Sequence, residues 1–323
     1  MSVDVNWVQD VNGFYEISSK HHLLQVMNEG SLYTNSGATP TDFWGSSYIQ
    51  TVDIDLTGHT DTHPIGIEER AFVGVYDGQE FKISNWSYSD PATSVDDTHA
   101  FSGFFGYVNT GAEIKNFRMD GVCSLDGFRV GGGMVVGYLI ASVFRNVDCN
   151  FSPGSYVKGG PRVGGVVGLA LSVVHTEGIT IRGTIETSLV DTARGGASPE
   201  QIGGVFSEVN TGFYDTTRNL ATFPSGIVGT ANVGGIIGFN SNSSSNNCVN
   251  AMKGDISGQH AGGFCGIYNG ADGGTATNII TSMSGNLNST NGTGGIVGFT
   301  AGNAQTLSNI ANCMTGDITC NNA

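Results

Sequence analysis

The sequence predicts an all-β fold, a parallel β-solenoid preceded by a small α+β cap. Three observations predict it: a repeated glycine block, a second motif with the same period, and short segments that alternate apolar and polar residues. The chain has 323 residues, of which 50 are Gly, about twice the usual share of roughly 7%. The glycines follow no G-X-Y period, which excludes collagen. Hydrophobic residues make up 39% of the chain, which is enough to form a folded core.

The glycine block has the pattern Gly-apolar-apolar-Gly. Clear copies begin at Gly103, Gly165, Gly235, Gly263 and Gly295, and looser copies begin at Gly133 and Gly204. Successive copies start 30, 32, 39, 31, 28 and 32 residues apart. A step of about 31 residues therefore dominates, and the copies define seven units.

A second motif, apolar-x-Gly-x-apolar, has the same period. Its copies at Met252, Met283 and Met314 are 31 residues apart. Between the motifs lie strand-like segments such as Ile179–Ile185, in which β-branched and polar residues alternate. Three short strands per unit predict a coil that buries its inward side chains against the coils above and below it.

Four asparagines follow the glycine blocks at similar distances and are predicted to occupy the corners between strands. These are Asn116, Asn146, Asn247 and Asn278. Asparagine tolerates the left-handed backbone conformation that a sharp corner needs, and its amide can bond neighbouring backbone groups.

Residues 1–100 contain no copy of the repeat and are predicted to form the cap, with residues 101–323 forming the solenoid. Ser18 and Ser19 precede Lys20–Met27, a pattern typical of an N-capped helix. Tyr48–Leu56 alternates as a strand, and Phe72–Asn85 places an Asp-Gly turn between two strand-like arms. A non-repeating segment of this kind can cover the open end of a solenoid core.

These residues resemble the GLUG-repeat proteins of bacteria and viruses. The repeat pattern of that family is Gly-Gly-apolar-apolar-Gly, an Asn-led strand and a closing apolar-x-Gly-x-apolar strand. Gly234–Ile256 and Gly294–Ile318 match it well. In the cap, Tyr15–Ser18, Asp53–Leu56 and Gly74–Asn85 are similar to what precedes the repeats in the family. The resemblance implies a right-handed parallel β-helix, here of about seven coils.

The family includes adhesins, surface-anchored repeat proteins and noncatalytic parts of proteases, so the resemblance implies a structural or adhesive role without catalytic residues or cofactors. The chain has no signal peptide or wall-sorting motif, which favours a component of a virus or phage particle over a secreted protein. An extracellular or cell-surface location is the alternative. Two other functions stay open: a carbohydrate-active β-helix enzyme, and a stand-alone adhesin that binds surface glycans.

The enzyme alternative needs a positioned pair of acids. After Arg218 the only acids are Asp255, Asp272 and Asp317. Asp255 and Asp317 occupy the same place two coils apart, with Asn286 between them, which is typical of a solvent-exposed ladder. The nearest approach to a metal site is His59, Asp61 and His63, but the neighbouring Asp53 and Asp55 belong to the cap pattern. No metal or cofactor is therefore predicted.

Composition bounds the partners. The net charge is −15 with no basic run, which argues against nucleic acid and anionic membranes. No stretch of 18 apolar residues exists, so membrane insertion is not expected. The six cysteines have no metal-finger spacing, and most are predicted to be small buried apolar residues rather than disulfides.

The last predicted coil lacks the cap that residues 1–100 give to the first. An uncovered terminal coil exposes strand edges and apolar side chains. We therefore expect the C-terminal coil to dock end-on against a copy of this chain or another structural protein. Met314 and Ile318 are the predicted interface residues.

Overall fold

The structure is a computed structural model and describes residues 4–29, 34–59, 62–89, 100–190, 200–269, 274–301 and 306–321. It is an all-β parallel solenoid of about nine turns, which confirms the predicted fold class. All ladders between the named strands of the described residues are parallel. The strands form sheets of 21, 9 and 2 strands, and one continuous apolar core runs between the two large sheets.

The elements before residue 90 are one helix and eight strands: β1 (Asp4–Trp7), β2 (Tyr15–Ile17), α1 (Lys20–Met27), β3 (Thr34–Gly37), β4 (Tyr48–Gln50), β5 (Ile54–Asp55), β6 (Val75–Asp77), β7 (Lys82–Ser84) and β8 (Ser87–Ser89).

The strands between residues 100 and 190 are β9 (Phe101–Ser102), β10 (Phe105–Val108), β11 (Glu113–Gly121), β12 (Ser124–Asp126), β13 (Gly131–Gly133), β14 (Val136–Ile140), β15 (Val143–Gly159), β16 (Arg162–Gly164) and β17 (Val167–Val190).

The strands from residue 200 onward are β18 (Gln201–Gly203), β19 (Phe206–Asp215), β20 (Arg218–Asn219), β21 (Ile227–Val228), β22 (Asn232–Gly234), β23 (Ile237–Ser241), β24 (Ser244–Asn246), β25 (Val249–Asn250), β26 (Ile256–Gly262), β27 (Cys265–Asn269), β28 (Thr275–Thr281), β29 (Leu287–Gly294), β30 (Val297–Ala301), β31 (Thr306–Asn312) and β32 (Ile318–Cys320).

Parallel stacking starts earlier than the glycine blocks indicate. β2 pairs with β4, β4 pairs with β6, and β6 pairs with β11. The residues that precede the repeat therefore contribute turns of their own, which accounts for about nine turns against the predicted seven. These early turns lack the Gly-apolar-apolar-Gly block, so the repeat count did not find them.

The Asp77–Gly78 turn is a solenoid corner, and the hairpin suggested by its sequence is not formed. β6 and β7 lie on either side of this turn, and both pair in parallel with β11. The predicted strand over Tyr48–Leu56 is likewise divided into β4 and β5 by a bend. A short turn motif fixes only the local bend, whereas the neighbouring coil decides which strand each arm pairs with.

Helix α1 is confirmed where the sequence predicted it. Ser19 is the N-cap, and its hydroxyl accepts a hydrogen bond from the His22 backbone N–H. Leu23, Leu24 and Met27 are fully buried on the side that faces the core. The helix thus adds apolar side chains to the N-terminal end of the solenoid.

The glycine block is explained by a bend at which adjacent coils touch through their backbones. A Cβ at Gly103 would lie 2.7 Å from the backbone nitrogen of Gly137, and one at Gly137 would lie 2.6 Å from that of Ser102. Such distances leave no room for a side chain. The apolar residues within the blocks that begin at Gly103 to Gly263 point inward and are fully buried, as at Val166 and Val167.

A buried polar column ties the opposite wall of the coil to this bend. The Nδ2 amide of Asn219 donates to the Gly235 carbonyl oxygen at 2.5 Å, and Asn250 donates to the Gly263 carbonyl at 2.5 Å. In the next coil the Thr281 hydroxyl donates to the Gly295 carbonyl at 2.9 Å. Each side chain reaches the first glycine of the following coil, so neighbouring coils are bonded through the core.

The four predicted corner asparagines are confirmed. Asn116, Asn146, Asn247 and Asn278 have φ angles of 50 to 55°, in the left-handed region. Their side chains bond from coil to coil: Asn146 donates to Asn116 at 3.1 Å, and Asn278 donates to Asn247 at 2.9 Å. Because each amide bridges two coils, the corner both turns the chain and fixes the stacking.

We predict that Gly235→Ala destabilises the protein by about 3 kcal/mol, the upper part of the range for overpacked cores. The added Cβ would overlap the Asn250 amide and the Gly263 carbonyl, and backbone atoms cannot move aside. Chemical denaturation followed by circular dichroism measures the change.

The matched control is Gly13→Ala. Gly13 has a φ of +82° with open space around its Cβ position, so alanine there should cost about 1 kcal/mol through backbone strain alone. Equal losses in the two variants would contradict the close-contact explanation of the glycine block.

Candidate functional site

The candidate site is the C-terminal end face, the inward side of the last described coil. Its apolar residues are Ile296, Val297, Leu307, Ile310, Met314 and Ile318. Four of them are half-buried and packed against the core, and Leu307 and Ile318 are 43% and 49% exposed. The face is therefore a contiguous apolar surface at one end of the rod.

Exposure of these side chains comes from their position in the stack and not from an outward orientation. Ile318 continues the column of Ile256 and Leu287, both of which are 0% exposed. Leu307 continues from Ala276, which is also 0% exposed. The same inward position is fully buried once another coil covers it, and it is partly exposed on the last described coil, most of all at Leu307 and Ile318.

The opposite end of the core is covered. The indole N–H of Trp7 donates to Gln25 on α1 at 2.7 Å, and the indole N–H of Trp44 donates to the Val26 carbonyl at 2.8 Å. Both indole rings are almost fully buried. The two ends of the rod thus differ, and the C-terminal one carries the open apolar surface.

Nothing in the sequence of the last coil blocks pairing at its edge. β30, β31 and β32 each pair with one strand of the preceding coil, and the described residues show no strand on their other side. From residue 273 onward, Asp317 is the only Asp, Glu, Lys or Arg, and there is no Pro. Edge strands that avoid association usually carry such residues.

Both predicted interface residues, Met314 and Ile318, belong to the end face. Four further members of the face were not predicted from the sequence: Ile296, Val297, Leu307 and Ile310. Two of these lie in the Gly295–Gly298 block, and the other two follow the inward columns of Ala276 and Ile279. These four residues could have been predicted by aligning the inward positions of all strands in each repeat unit. Only the inward positions of the closing strand were compared.

The predicted Asp255, Asn286 and Asp317 ladder is present. The Asp255 carboxylate accepts the backbone N–H of Asn286 at 2.7 Å, and the Asn286 amide oxygen accepts that of Asp317 at 3.0 Å. These side chains accept hydrogen bonds from backbone groups of the next coil, so the regular spacing of Asp255, Asn286 and Asp317 follows from the stacking of the coils.

The described residues hold no group of three or more His, Cys, Asp or Glu side chains placed to bind a metal ion. Of the predicted candidates, Asp61 lies outside the described residues. The His63 ring lies 6.1 Å from the Tyr88 ring, and the His59 backbone N–H donates to the Leu56 carbonyl.

Three described carboxyl groups have a pKa clearly displaced from the ordinary value, and in all three it is lowered. Hydrogen bonds from Asn85 and Thr57 lower the pKa of Asp55 to about 2. A backbone hydrogen bond from Phe14 lowers the pKa of Asp10, and the Arg70 side chain lowers that of Asp42. A general acid in glycoside cleavage needs the opposite shift, so these three carboxylates do not fit that role.

An aromatic cluster lies on the side of the rod. The rings of Phe101 and Tyr138 stack with centroids 4.7 Å apart and an interplanar angle of 15°. The Tyr107 ring meets Tyr138 edge-on at 5.2 Å. Phe101 and Tyr138 are partly exposed and Tyr107 is buried, so the cluster presents a small stacked surface. The cluster was not predicted from the sequence because its rings come from separate strands.

Lateral charges are mostly paired between coils. Asp148 lies 2.9 Å from Arg182 and 3.8 Å from Arg118. Glu113 bridges to Arg145 at 2.5 Å and to Lys115 at 3.4 Å. These pairs are partly exposed, so each contributes little to stability, and no large single-sign patch results from them.

None of the six cysteines forms a disulfide. Cys123, Cys149, Cys248 and Cys265 are buried, which confirms the prediction for most of them. Burial raises the pKa of the Cys123 and Cys248 thiols to about 12. Cys313 and Cys320 are exposed on the last coil.

No helix of the described residues has the length and hydropathy needed to cross a membrane. No family model matches the chain, so the GLUG resemblance stays at the level of motifs. A search of the curated proteins also found no match.

The fold is similar to a crystal structure from Bacteroides ovatus titled a "putative immunoglobulin A1 protease". The alignment has a TM-score of 0.56 and 16% sequence identity, and it covers 98% of this chain and 79% of that one. At this identity the likeness shows the β-helix fold alone.

We predict that two thiols per chain react with a thiol reagent such as 5,5′-dithiobis(2-nitrobenzoate) in native buffer, and all six in denaturant. The reactive pair is Cys313 and Cys320, because the reagent needs an accessible thiolate and the other four thiols are buried. The Cys313→Ser, Cys320→Ser double variant should not react with the reagent in native buffer. Rapid labelling of more than two thiols in the folded wild type would contradict the burial of the other four.

Proposed function

We propose that this protein is a noncatalytic structural or adhesive β-solenoid that docks end-on through its C-terminal end face. The partner is a copy of the chain or another structural protein. The observation that carries the proposal is the column that ends in Ile318: 0% exposed at Ile256 and Leu287, and 49% exposed at the last coil. Covering such positions removes apolar surface from water, which favours association by about 25 cal/mol per Å².

The rod shape suits this role. Coils are bonded to each other through the backbone, the corner asparagines and the buried Asn219 column. A stack held in three places resists bending, so a contact at its end can hold the whole rod in a fixed direction. A place in a virus or phage particle, or otherwise on a cell surface, is part of the proposal and is supported by the resemblance to the GLUG-repeat proteins.

The experiment compares self-association of the wild type with that of Ile318→Glu by light scattering over a range of concentrations. If the partner is a copy of the chain, the wild type should associate, and the association constant of the variant should fall at least about 10-fold. Glutamate would place a charge in the centre of the apolar contact, where desolvating it is costly.

The matched control is Ile280→Glu. Ile280 is 41% exposed, close to the value for Ile318, but its strand is paired on both sides by Val249 and Ala311. This variant should associate like the wild type. A monomeric wild type would exclude a copy of the chain as the partner, and equal effects of the two substitutions would overturn end-on docking through this face.

A second candidate function is glycan binding, which the stacked pair Phe101 and Tyr138 favours. Flat aromatic surfaces with a hydroxyl at one edge suit the apolar faces and polar rims of sugars. Tyr138→Ala should then abolish binding on a glycan array. Phe213→Ala removes another exposed ring, which lies against His175 on a different part of the coil, and should leave binding unchanged. An array without signal for the wild type would exclude this candidate.

A further inference from the structure

Three hydrogen-bond ladders run along the rod and reach the C-terminal end face. Within each ladder every bond has the same donor direction. In the corner ladder each amide donates to the oxygen of the preceding coil: Asn247 to Asp215, Asn278 to Asn247, and Asn309 to Asn278, each at 2.9 Å. The Asn309 Oδ1 atom is therefore the acceptor that a following corner amide would use. Among the described residues nothing donates to it.

The core ladder ends with the opposite polarity. Asn219 and Asn250 donate to the Gly235 and Gly263 carbonyls of the following coil. Thr281 follows Asn250 in this column, and Asn312 follows Thr281. The Thr281 hydroxyl donates to the Asn312 Oδ1 atom at 2.9 Å. The Nδ2 amide of Asn312 has no acceptor within the described part of the chain.

The turn ladder ends at Asp317. Asp255 and Asn286 each accept a backbone N–H from the following coil. Asp317 is the next member. Its backbone N–H donates to Asn286, and its carboxylate accepts no backbone N–H from the described residues. The end face thus presents two acceptors and one donor, in addition to its apolar side chains.

These three groups define what fits against them. The matching surface has an amide donor at the corner, a glycine carbonyl in the core and a backbone N–H at the turn. One more coil of the same repeat, entering by its N-terminal side, supplies all three. A second copy of this end face offers two acceptors and one donor, whereas the three groups call for two donors and one acceptor, so it cannot satisfy all of them.

We propose that the end face is a template for a parallel coil with the Gly-Gly-apolar-apolar-Gly repeat, supplied by another chain. The inference rests on end-on docking and specifies the partner. The incoming coil adds strands to β30, β31 and β32 by backbone pairing, as in other strand-addition complexes. The N-terminal end of a second copy is excluded as the incoming surface because the cap residues Trp7, Trp44 and α1 cover it.

The test uses a labelled synthetic peptide of residues 256–286 and the full chain. The peptide holds the Gly263 carbonyl, the Asn278 amide and the Asn286 N–H, which make the corresponding contacts two coils earlier in the stack. Fluorescence anisotropy should show saturable binding, with a Kd on the order of 10 μM because the free peptide must be ordered.

Asn312→Asp should weaken the peptide at least about 10-fold, since a carboxylate would face the glycine carbonyl. Aspartate keeps an oxygen for the Thr281 hydroxyl, so the last coil retains that bond. Asn288→Asp makes the same charge change on β29, where the residue is paired with both Ser257 and Thr319, and should bind like the wild type. A peptide with Asn278→Ala should bind more weakly, because it lacks the corner amide that would donate to Asn309.

Absence of peptide binding, or equal binding by wild type and Asn312→Asp, would overturn the template. Its failure is distinguishable from failure of end-on docking. If Ile318→Glu abolishes self-association while the peptide does not bind, docking stands and the template is wrong. Peptide binding that depends on Asn312 of the chain and on Asn278 of the peptide supports the template directly.

Discussion

Contact between the backbones of glycines at the bend of each coil is the constraint on which the solenoid depends. At Gly103 and Gly137 the coils approach so closely that a Cβ would meet backbone atoms of the next coil. At Gly235 the buried Asn250 amide occupies the space that a Cβ would fill, and from there it reaches the Gly263 carbonyl. A polar group in the core is costly unless it is bonded, so the buried amides of Asn219 and Asn250 depend on the glycine carbonyls that accept from them.

The ladders have a direction, and this makes the two ends of the rod chemically different. In the corner ladder amides donate toward the N-terminus, as Asn309 does to Asn278. In the core ladder they donate toward the C-terminus, as Asn250 does to Gly263. A chain with such polarity stacks readily in one orientation, and its last coil presents groups complementary to its own repeat. The end of the rod is therefore the surface on which the proposed docking rests.

Much of the fold could be predicted because the repeat writes the same local chemistry into each unit. The glycine block, the corner asparagines and the Ser19 cap each act over a few residues, and the structure confirms them. The turns before residue 90 could not be counted this way, since they stack without the glycine block. Met314 and Ile318 were found from the closing strand, and their neighbours on the end face were missed because they come from other strands.

The sequence by itself determined the period, the inward positions and the corners, because these follow from side-chain size and local backbone preference. Only the tertiary structure decided which strands pair, which is why the arms of the Asp77–Gly78 turn join a neighbouring coil in parallel. It also decided that the Asn219 amide meets the Gly235 carbonyl and that Phe101 stacks on Tyr138. Those contacts join residues that are distant in the chain, and their distances are set by how one coil is laid on the next.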